Sequence, residues 1–188
     1  DYHNGIHKSI YKNLDYFIEL NKIPNLIFYG ESGSGKSTLI KYLINKIYND
    51  DSGMINKYVM YINCAHGKGI KFIRDNLKFF AKTHINIDNG IIKNIILLNA
   101  DKLTIDAQSA LRRCIEIHSH TTRFIIKVEN YNGLLKPIIS RFSSIFVPRP
   151  KHGNMHKYRL AQEFNLNKIN KSRIQWLKRY IIRKKIEN

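Results

Sequence analysis

The sequence is poor in cysteine, in proline and in acidic residues, and each shortage limits what the chain can be. Its 188 residues include two cysteines, four prolines and one tryptophan. Two cysteines, Cys64 and Cys114, are too few for a disulfide framework, so a reducing intracellular setting is expected. No apolar run is long enough to span a membrane. Hydrophobic residues make up 43% of the chain, which is typical of a soluble domain with one sizeable core.

The shortage of acidic residues leaves a large positive charge. The chain has 32 Lys and Arg residues against 14 Asp and Glu residues, a formal net charge of +18. Such an excess attracts polyanions and makes binding strongly dependent on salt, so nucleic acid is the favoured class of partner. A solvated lysine surface without a partner would give the same count.

A zinc site and a catalytic triad are not predicted. Cys64 lies close to His66, and Cys114 lies close to His118 and His120, but neither set has the spacing of zinc ligands. No Ser/His/Asp arrangement is evident either.

One segment carries a specific chemical signature. Gly30–Ser37 matches the phosphate-binding motif G-x-x-x-x-G-K-[ST], between an apolar strand and an amphipathic helical pattern. The glycines allow successive backbone N–H groups to face one anion, and the helix start adds its positive dipole end. Lys36 is expected to reach the terminal phosphates of ATP, and the Ser37 hydroxyl to ligate Mg²⁺. The predicted nucleotide ligands are Gly30, Glu31, Ser32, Gly33, Ser34, Gly35, Lys36, Ser37 and Thr38.

Strands and helices alternate along the first 150 residues. Short, continuous apolar strands separated by helices predict a buried parallel sheet of five strands, an α/β fold. The predicted strands are Leu26–Tyr29, Tyr58–Ile62, Ile95–Leu98, Phe124–Val128 and Ile145–Val147. The predicted helices are His7–Leu20, the segment from the phosphate loop to Tyr48, Ile70–Ala81 and Ile105–Ile117, and Asn49–Gly53 is predicted as a turn.

Pro148-Arg149-Pro150 ends this pattern and is predicted to be a hinge. Residues 1–150 are expected to form the nucleotide-binding core, and residues 151–188 a basic, mostly helical segment. Within that segment, Ser172–Ile186 has the pattern of an amphipathic basic helix. Its Arg183-Lys184-Lys185 run could be a nuclear import patch, but such runs are usually solvated.

Several separate stretches together resemble the small subunits of replication factor C, the AAA+ sliding-clamp loader. The resemblance covers about Lys8–Val147, and the Asp-Ala-Gln-x-Ala-Leu-Arg-Arg stretch is its most specific part. The stretches that carry it are Ile23–Gly30, Ile62–Ile70 with Arg74 and Phe79–Ala81, Ala100–Arg113, Thr122–Phe124 and Ser140–Phe142.

The resemblance implies a AAA+ P-loop NTPase, a three-layer sandwich with a parallel five-stranded sheet, followed by a short helical lid-like segment. It also implies ATP with Mg²⁺, a hetero-oligomeric ring of clamp-loader subunits, a sliding clamp and primer–template DNA. The setting would be the nucleus or a viral replication compartment. Beyond Pro150 the match fades: the lid aligns only weakly, with Arg173 as its nucleotide-contacting residue, and the family's collar domain has no counterpart.

The predicted hydrolytic site departs from the family, in which Asp-Glu ends the third strand. Here those positions are Leu98 and Asn99, and Asp101 lies two residues further on. Leucine cannot ligate a hard cation, and an amide is not a base. The expected result is a chain that binds nucleotide but hydrolyses it poorly by itself, unless Asp101 or another carboxylate substitutes.

The family's γ-phosphate-sensing Asn after strand four aligns with Glu129, or with Asn130 after a shift of one residue. We favour Asn130, because a carboxylate without a cation beside it would repel phosphate.

Ser140-Arg141 matches the family's trans-acting arginine finger, so Arg141 is expected to act in the neighbouring subunit's site. An ordinary surface arginine is the alternative. Lys68, Lys71 and Arg74 begin the helix that follows the DNA backbone in the family, and a solvated face is their alternative reading. Arg112 and Arg113 could serve an internal ion pair, an interface or DNA.

Two other functions compete with clamp loading by an ATP-binding subunit. One is a non-catalytic structural subunit whose nucleotide only stabilises assembly. The other is an unrelated P-loop enzyme such as a nucleotide kinase, which the Ala-Leu-Arg-Arg stretch disfavours.

Overall fold

The computed structural model describes residues 7–65, positions 75, 77, 79 and 80, residues 92–149, and the backbone of 151–152 and 155–156. The chain divides into two compact units, Asp1–Pro148 and Arg149–Asn188.

Five parallel strands form the sheet of the first unit, as the sequence predicts. Their spatial order is β2-β3-β4-β1-β5. β1 and β4 are neighbours in this order. The connection from β1 leads to one side of the sheet and the connection from β4 leads to the other, so a crevice opens at the carboxyl ends of β1 and β4. The strands are β1 Leu26–Tyr29, β2 Val59–Asn63, β3 Lys93–Leu98, β4 Thr122–Val128 and β5 Ser143–Phe146.

Helices cover both faces of this sheet. The strand alternation sorts the core into two layers: Phe28 and Ile125 pack with α1 and α2, whereas Ile27 and Ile126 pack with α4. Together they make the predicted three-layer α/β arrangement. The helices are α1 Lys8–Glu19, α2 Lys36–Ile47, α3 Ser52–Tyr58, α4 Ile105–His118 and α5 Lys136–Ile139.

The predicted turn Asn49–Gly53 is confirmed at Asn49 and Asp50, whereas Ser52 and Gly53 begin a helix that leads into β2. Asp51 caps α3 by accepting hydrogen bonds from the N–H groups of Gly53 and Met54, at 2.8 and 3.2 Å. Tyr58 is the last residue of this helix, so β2 begins one residue later than predicted. The turn-forming residues Asp51, Ser52 and Gly53 are also residues that favour a helix start, and here the capping geometry prevails.

In the second unit the structure describes two short strands, Lys151–His152 and Met155–His156, which pair antiparallel. Within the segment 151–188, which is expected to be mostly helical, these four residues are in strand conformation. The remainder of the predicted helical segment, including Arg173 and Ser172–Ile186, lies outside the described residues.

The helix predicted over Ile70–Ala81 is described only in part. Positions 75, 77, 79 and 80 are helical, and Leu77 is buried in the α4-side core. The DNA-contact candidates Lys68, Lys71 and Arg74, as well as His66, lie outside the described residues.

Candidate nucleotide-binding site

The phosphate loop connects β1 to α2 through backbone conformations that glycine adopts readily. Gly30, Gly33 and Gly35 have φ values of 144°, 75° and 101°. A Cβ on Gly30 would lie 2.3 Å from the carbonyl oxygen of Val147, so no larger residue fits where β1 ends. Gly35 is the N-cap of α2, which begins at Lys36. The loop therefore presents the start of a helix at the carboxyl end of β1, a geometry suited to an anion.

Lys36 is buried inside this loop, with 4% of its surface exposed. Its ammonium donates to the carbonyl oxygens of Gly30 and Glu31, both at 2.7 Å, and to the Ser34 hydroxyl at 3.3 Å. These bonds fix the side chain beneath the loop rather than leaving it in solvent. The Lys36 charge is thus held where an anion on the loop would meet it.

His7, just before α1, also contacts the loop. Its Nε2 lies 2.8 Å from the carbonyl oxygen of Ser34. Sequence reasoning missed this residue, because a contact between positions 7 and 34 leaves no local pattern.

A cavity of about 270 Å³ opens above the loop. The side chain of Lys127, near the end of β4, reaches into it, and its Nζ donates to the Ser37 hydroxyl at 2.9 Å. Glu129 lines the same cavity. Lys127 was also missed by sequence reasoning. The lining residues are Ser32, Gly33, Ser34, Gly35, Lys36, Ser37, Thr38, Lys127 and Glu129.

The residues after β3 lie beside this crevice but present no carboxylate to it. Leu98 packs against the apolar core on the α1–α2 side of the sheet. Asn99 has a φ of 57° and donates from its side-chain amide to Oδ1 of Asn63 at 2.9 Å. That amide is thus engaged with β2, and neither residue can act as a general base.

Asp101 is turned toward the segment after β4. Its Oδ2 accepts a hydrogen bond from the backbone N–H of Asn130 at 3.4 Å, and it is not among the residues that line the cavity. The side chain of Asn130 accepts from the N–H of Asn132 and so caps its own turn. Of the two sensor candidates, the structure places Glu129, not Asn130, on the cavity.

Arg141 lies far from this loop in sequence, just after α5. Its guanidinium pairs with Glu116 of α4 at 2.5 Å and donates to the carbonyl oxygen of Pro137. Glu116 also pairs with Arg112, at 3.5 Å. The predicted finger thus sits against α4 of its own chain.

The two cysteines of the chain, Cys64 and Cys114, are both buried free thiols. Burial raises the pKa of the Cys64 thiol to about 12, and the charge of Asp101 adds to the rise. Within the described residues no group of three or more His, Cys, Asp or Glu side chains could hold a metal ion.

The parallel sheet and the phosphate loop define a P-loop nucleotide-binding domain. A family model described as ABC transporter matches residues 12–175, and the match agrees with this class. Within the described residues no helix is long and apolar enough to cross a bilayer.

Curated relatives give a narrower family. Replication factor C small subunit 2 of Pyrobaculum islandicum is 34% identical over 157 residues, which are 83% of this chain and 48% of that protein. The replication factor C small subunit of Sulfolobus acidocaldarius is 36% identical over 134 residues, which are 71% of this chain and 40% of that protein. The chain belongs to the replication factor C small-subunit family, and it spans about half the length of these relatives.

Solved structures support the fold alone. A DNA polymerase III gamma subunit-related protein from Thermotoga maritima superposes with a TM-score of 0.55 at 15% identity, over 73% of this chain and 46% of that one. The AAA+ fold expected from the resemblance is thereby confirmed.

Proposed function

We propose that this chain is the ATP-binding part of a clamp-loader small subunit. It binds ATP, takes its place in a hetero-oligomeric ring of related subunits, and helps to load a sliding clamp onto primer–template DNA during replication. The observation that carries this proposal is the complete phosphate loop, with Lys36 buried beneath it, in a chain whose relatives are replication factor C small subunits. Its place of action would be intracellular, in the nucleus or a viral replication compartment.

The loop meets the physical demands of a polyphosphate ligand. The glycine conformations allow backbone N–H groups to face an anion, and Lys36 supplies a fixed positive charge. Bound ATP would supply the phosphoryl group for transfer. The chain's own residues bind and orient its phosphates, while Gly30 allows the backbone of Val147, just after β5, to lie close behind the loop.

Hydrolysis at this site is proposed to be weak. Leu98 and Asn99 stand where the family has its acidic pair, and the Asn99 amide is occupied by Asn63. Loss of a general base typically lowers a rate by about 10²- to 10⁴-fold. This observation also favours a second candidate, a non-catalytic structural subunit in which nucleotide only stabilises assembly.

Arg141 is proposed to serve the site of the neighbouring subunit. In the ring it would exchange its pair with Glu116 for the phosphates bound by the neighbouring subunit, since an ion pair whose side chains are 37% and 36% exposed is weak enough to break. Arg141→Ala is expected to leave ATP affinity of the isolated chain unchanged and to lower hydrolysis in the assembled ring by about 10³-fold or more.

Calorimetric titration with ATP at low salt tests the binding proposal. Wild-type chain should take up ATP, and Lys36→Ala should not, while both remain folded by circular dichroism. No uptake by folded wild-type chain would contradict the proposal.

Assembly and catalysis need two further measurements. A pull-down from the native source should recover sibling AAA+ subunits and a sliding clamp. Single-turnover hydrolysis by the isolated chain and by the ring then separates the two candidates: a ring whose rate is insensitive to Arg141→Ala favours the structural role.

A further inference from the structure

A lysine occupies the place where the motif predicts a metal ion. Side chains of Ile126 and Val128 face the α4 layer, so strand alternation directs Lys127 to the α2 face of the sheet. There its ammonium donates to the Ser37 hydroxyl at 2.9 Å. Ser37 is the residue that the motif assigns to Mg²⁺.

The surrounding residues do not fit Mg²⁺. This ion requires a near-octahedral set of oxygen ligands, usually with one or two carboxylates. Leu98 has no ligand atom, Asn99 is not among the residues that line the cavity, and Glu129 is the one carboxylate among those that do. An ammonium has donors only and carries the same sign of charge as the metal. Lys127 therefore takes one of the two acceptor positions of the hydroxyl oxygen and repels a cation.

An ammonium can replace the metal in neutralising the charge of the phosphates. Lys127 has three N–H donors, and Ser37 takes one of them. The other two are available to phosphate oxygens in the cavity that Lys36 and Lys127 both line. Charge-assisted hydrogen bonds of this kind are among the stronger polar contacts in proteins.

We infer that Lys127 takes the place of Mg²⁺, so that this chain binds the triphosphate of a nucleotide in the absence of a divalent cation. The inference rests on the proposed ATP binding and specifies its cofactor requirement. It also bears on hydrolysis, because an ammonium does not hold the catalytic oxygen ligands that a metal would position.

The test is calorimetric titration of the 188-residue chain with ATP, once in excess EDTA and once with Mg²⁺, at the same ionic strength. The expected result is an affinity in EDTA that equals the affinity with Mg²⁺ within about threefold. Binding only with Mg²⁺ would overturn the inference and leave the proposed ATP binding intact. No binding in either buffer would overturn both.

Variants assign the effect to Lys127. In EDTA, Lys127→Met should weaken ATP binding by about 10- to 100-fold, the loss expected for hydrogen bonds to a charged group, and Lys127→Arg should retain most of the affinity. Lys41→Ala is the matched control, since this exposed lysine of α2 is not among the residues that line the cavity. Equal affinity of Lys127→Met and wild type in EDTA would overturn the inference, as would an equal loss in Lys41→Ala. Thermal unfolding of each variant confirms that it is folded, and the comparison of wild-type chain in the two buffers needs no variant at all.

Discussion

Gly30 lies where β1 ends, and the backbone of Val147, the residue after β5, passes directly beside it. A Cβ there would be 2.3 Å from the carbonyl oxygen of Val147, and the φ of 144° is itself strained for other residues. Gly30→Ala must therefore move backbone, not a flexible side chain. We expect the free energy of unfolding to fall by about 2–4 kcal/mol, measured by urea denaturation.

Gly53→Ala is the control for that prediction. Gly53 lies in the first turn of α3, and its added Cβ would approach only the Asp51 carboxylate, at 3.2 Å. Alanine also favours a helix, so the free energy of unfolding should change by less than about 1 kcal/mol. Equal losses in the two variants would show that the close approach of the Val147 backbone does not matter.

Cys64 should be almost inert in the folded chain. Burial raises its thiol pKa from 9.0 to about 12, and only the thiolate reacts. At pH 8 the folded protein should react with a thiol reagent about 10³-fold more slowly than the urea-unfolded protein, measured in a Cys114→Ala background.

The same rise in the pKa of Cys64 makes the free energy of unfolding depend on pH. The folded state holds this proton more tightly than the unfolded state, so the stabilisation is complete below pH 9. It is lost as pH rises from about 9 toward 12, by up to about 1.4 kcal/mol per pH unit. Fast thiol labelling of native protein at pH 8 would contradict both statements.

Local sequence predicted one part of the candidate site and could not predict another. Lys36 and Ser37 belong to a contiguous motif whose spacing carries its own geometry. Lys127 and His7 meet that motif from 90 and 27 residues away. Their positions depend on which strands are neighbours, and a single sequence does not state that.

At the scale of elements, α3 depends on Asp51, the N-cap that precedes its first residue. Asp51 accepts two backbone hydrogen bonds, from Gly53 and Met54. Asp51→Ala should lower the free energy of unfolding by about 1 kcal/mol, the usual cost of a lost N-cap. Asp51→Asn, which keeps an acceptor, should restore most of it. Denaturant midpoints that do not distinguish the two variants would show that the cap is unimportant.

The bounds of a strand were predictable where its residues are apolar. Leu26–Tyr29 is apolar throughout, and its bounds agree with the prediction. β3 begins two residues before the predicted Ile95, because Lys93 and Asn94 are buried polar residues in strand conformation. Lys93 donates to the carbonyl oxygen of Phe80, and the Asn94 amide donates to the Tyr48 hydroxyl. These hydrogen-bond partners belong to other elements and cannot be read from the local sequence. The polarity of the two residues therefore led to a predicted strand start that was too late.

For the whole molecule, strand order is what assembles the site. β1 pairs with β4 on one side and β5 on the other. This order brings Lys127 of β4 to the loop after β1, and it brings Val147, which follows β5, behind Gly30. The sequence predicted five parallel strands but not this order. The phosphate loop was thus predictable from the motif, whereas the contact of Lys127 with Ser37 was not.

The net positive charge is also a property of the whole molecule, and its effect on DNA binding can be tested. Lys68, Lys71 and Arg74 are proposed to contact the DNA backbone. If they do, the triple alanine variant should lower the magnitude of the slope of log K against log salt by about 2–3, near 0.9 for each lost phosphate contact. The measurement is fluorescence anisotropy with primer–template DNA at several salt concentrations.

A second triple variant separates specific contacts from overall charge. Lys8, Lys12 and Lys41 are exposed on α1 and α2, and replacing them with alanine also removes three positive charges. Since these residues are not proposed to contact DNA, the slope should change by less than about 1. If both triple variants lower the slope equally, the attraction comes from the net charge of +18 rather than from a built surface. Lys68, Lys71 and Arg74 would then be solvated residues like the other lysines.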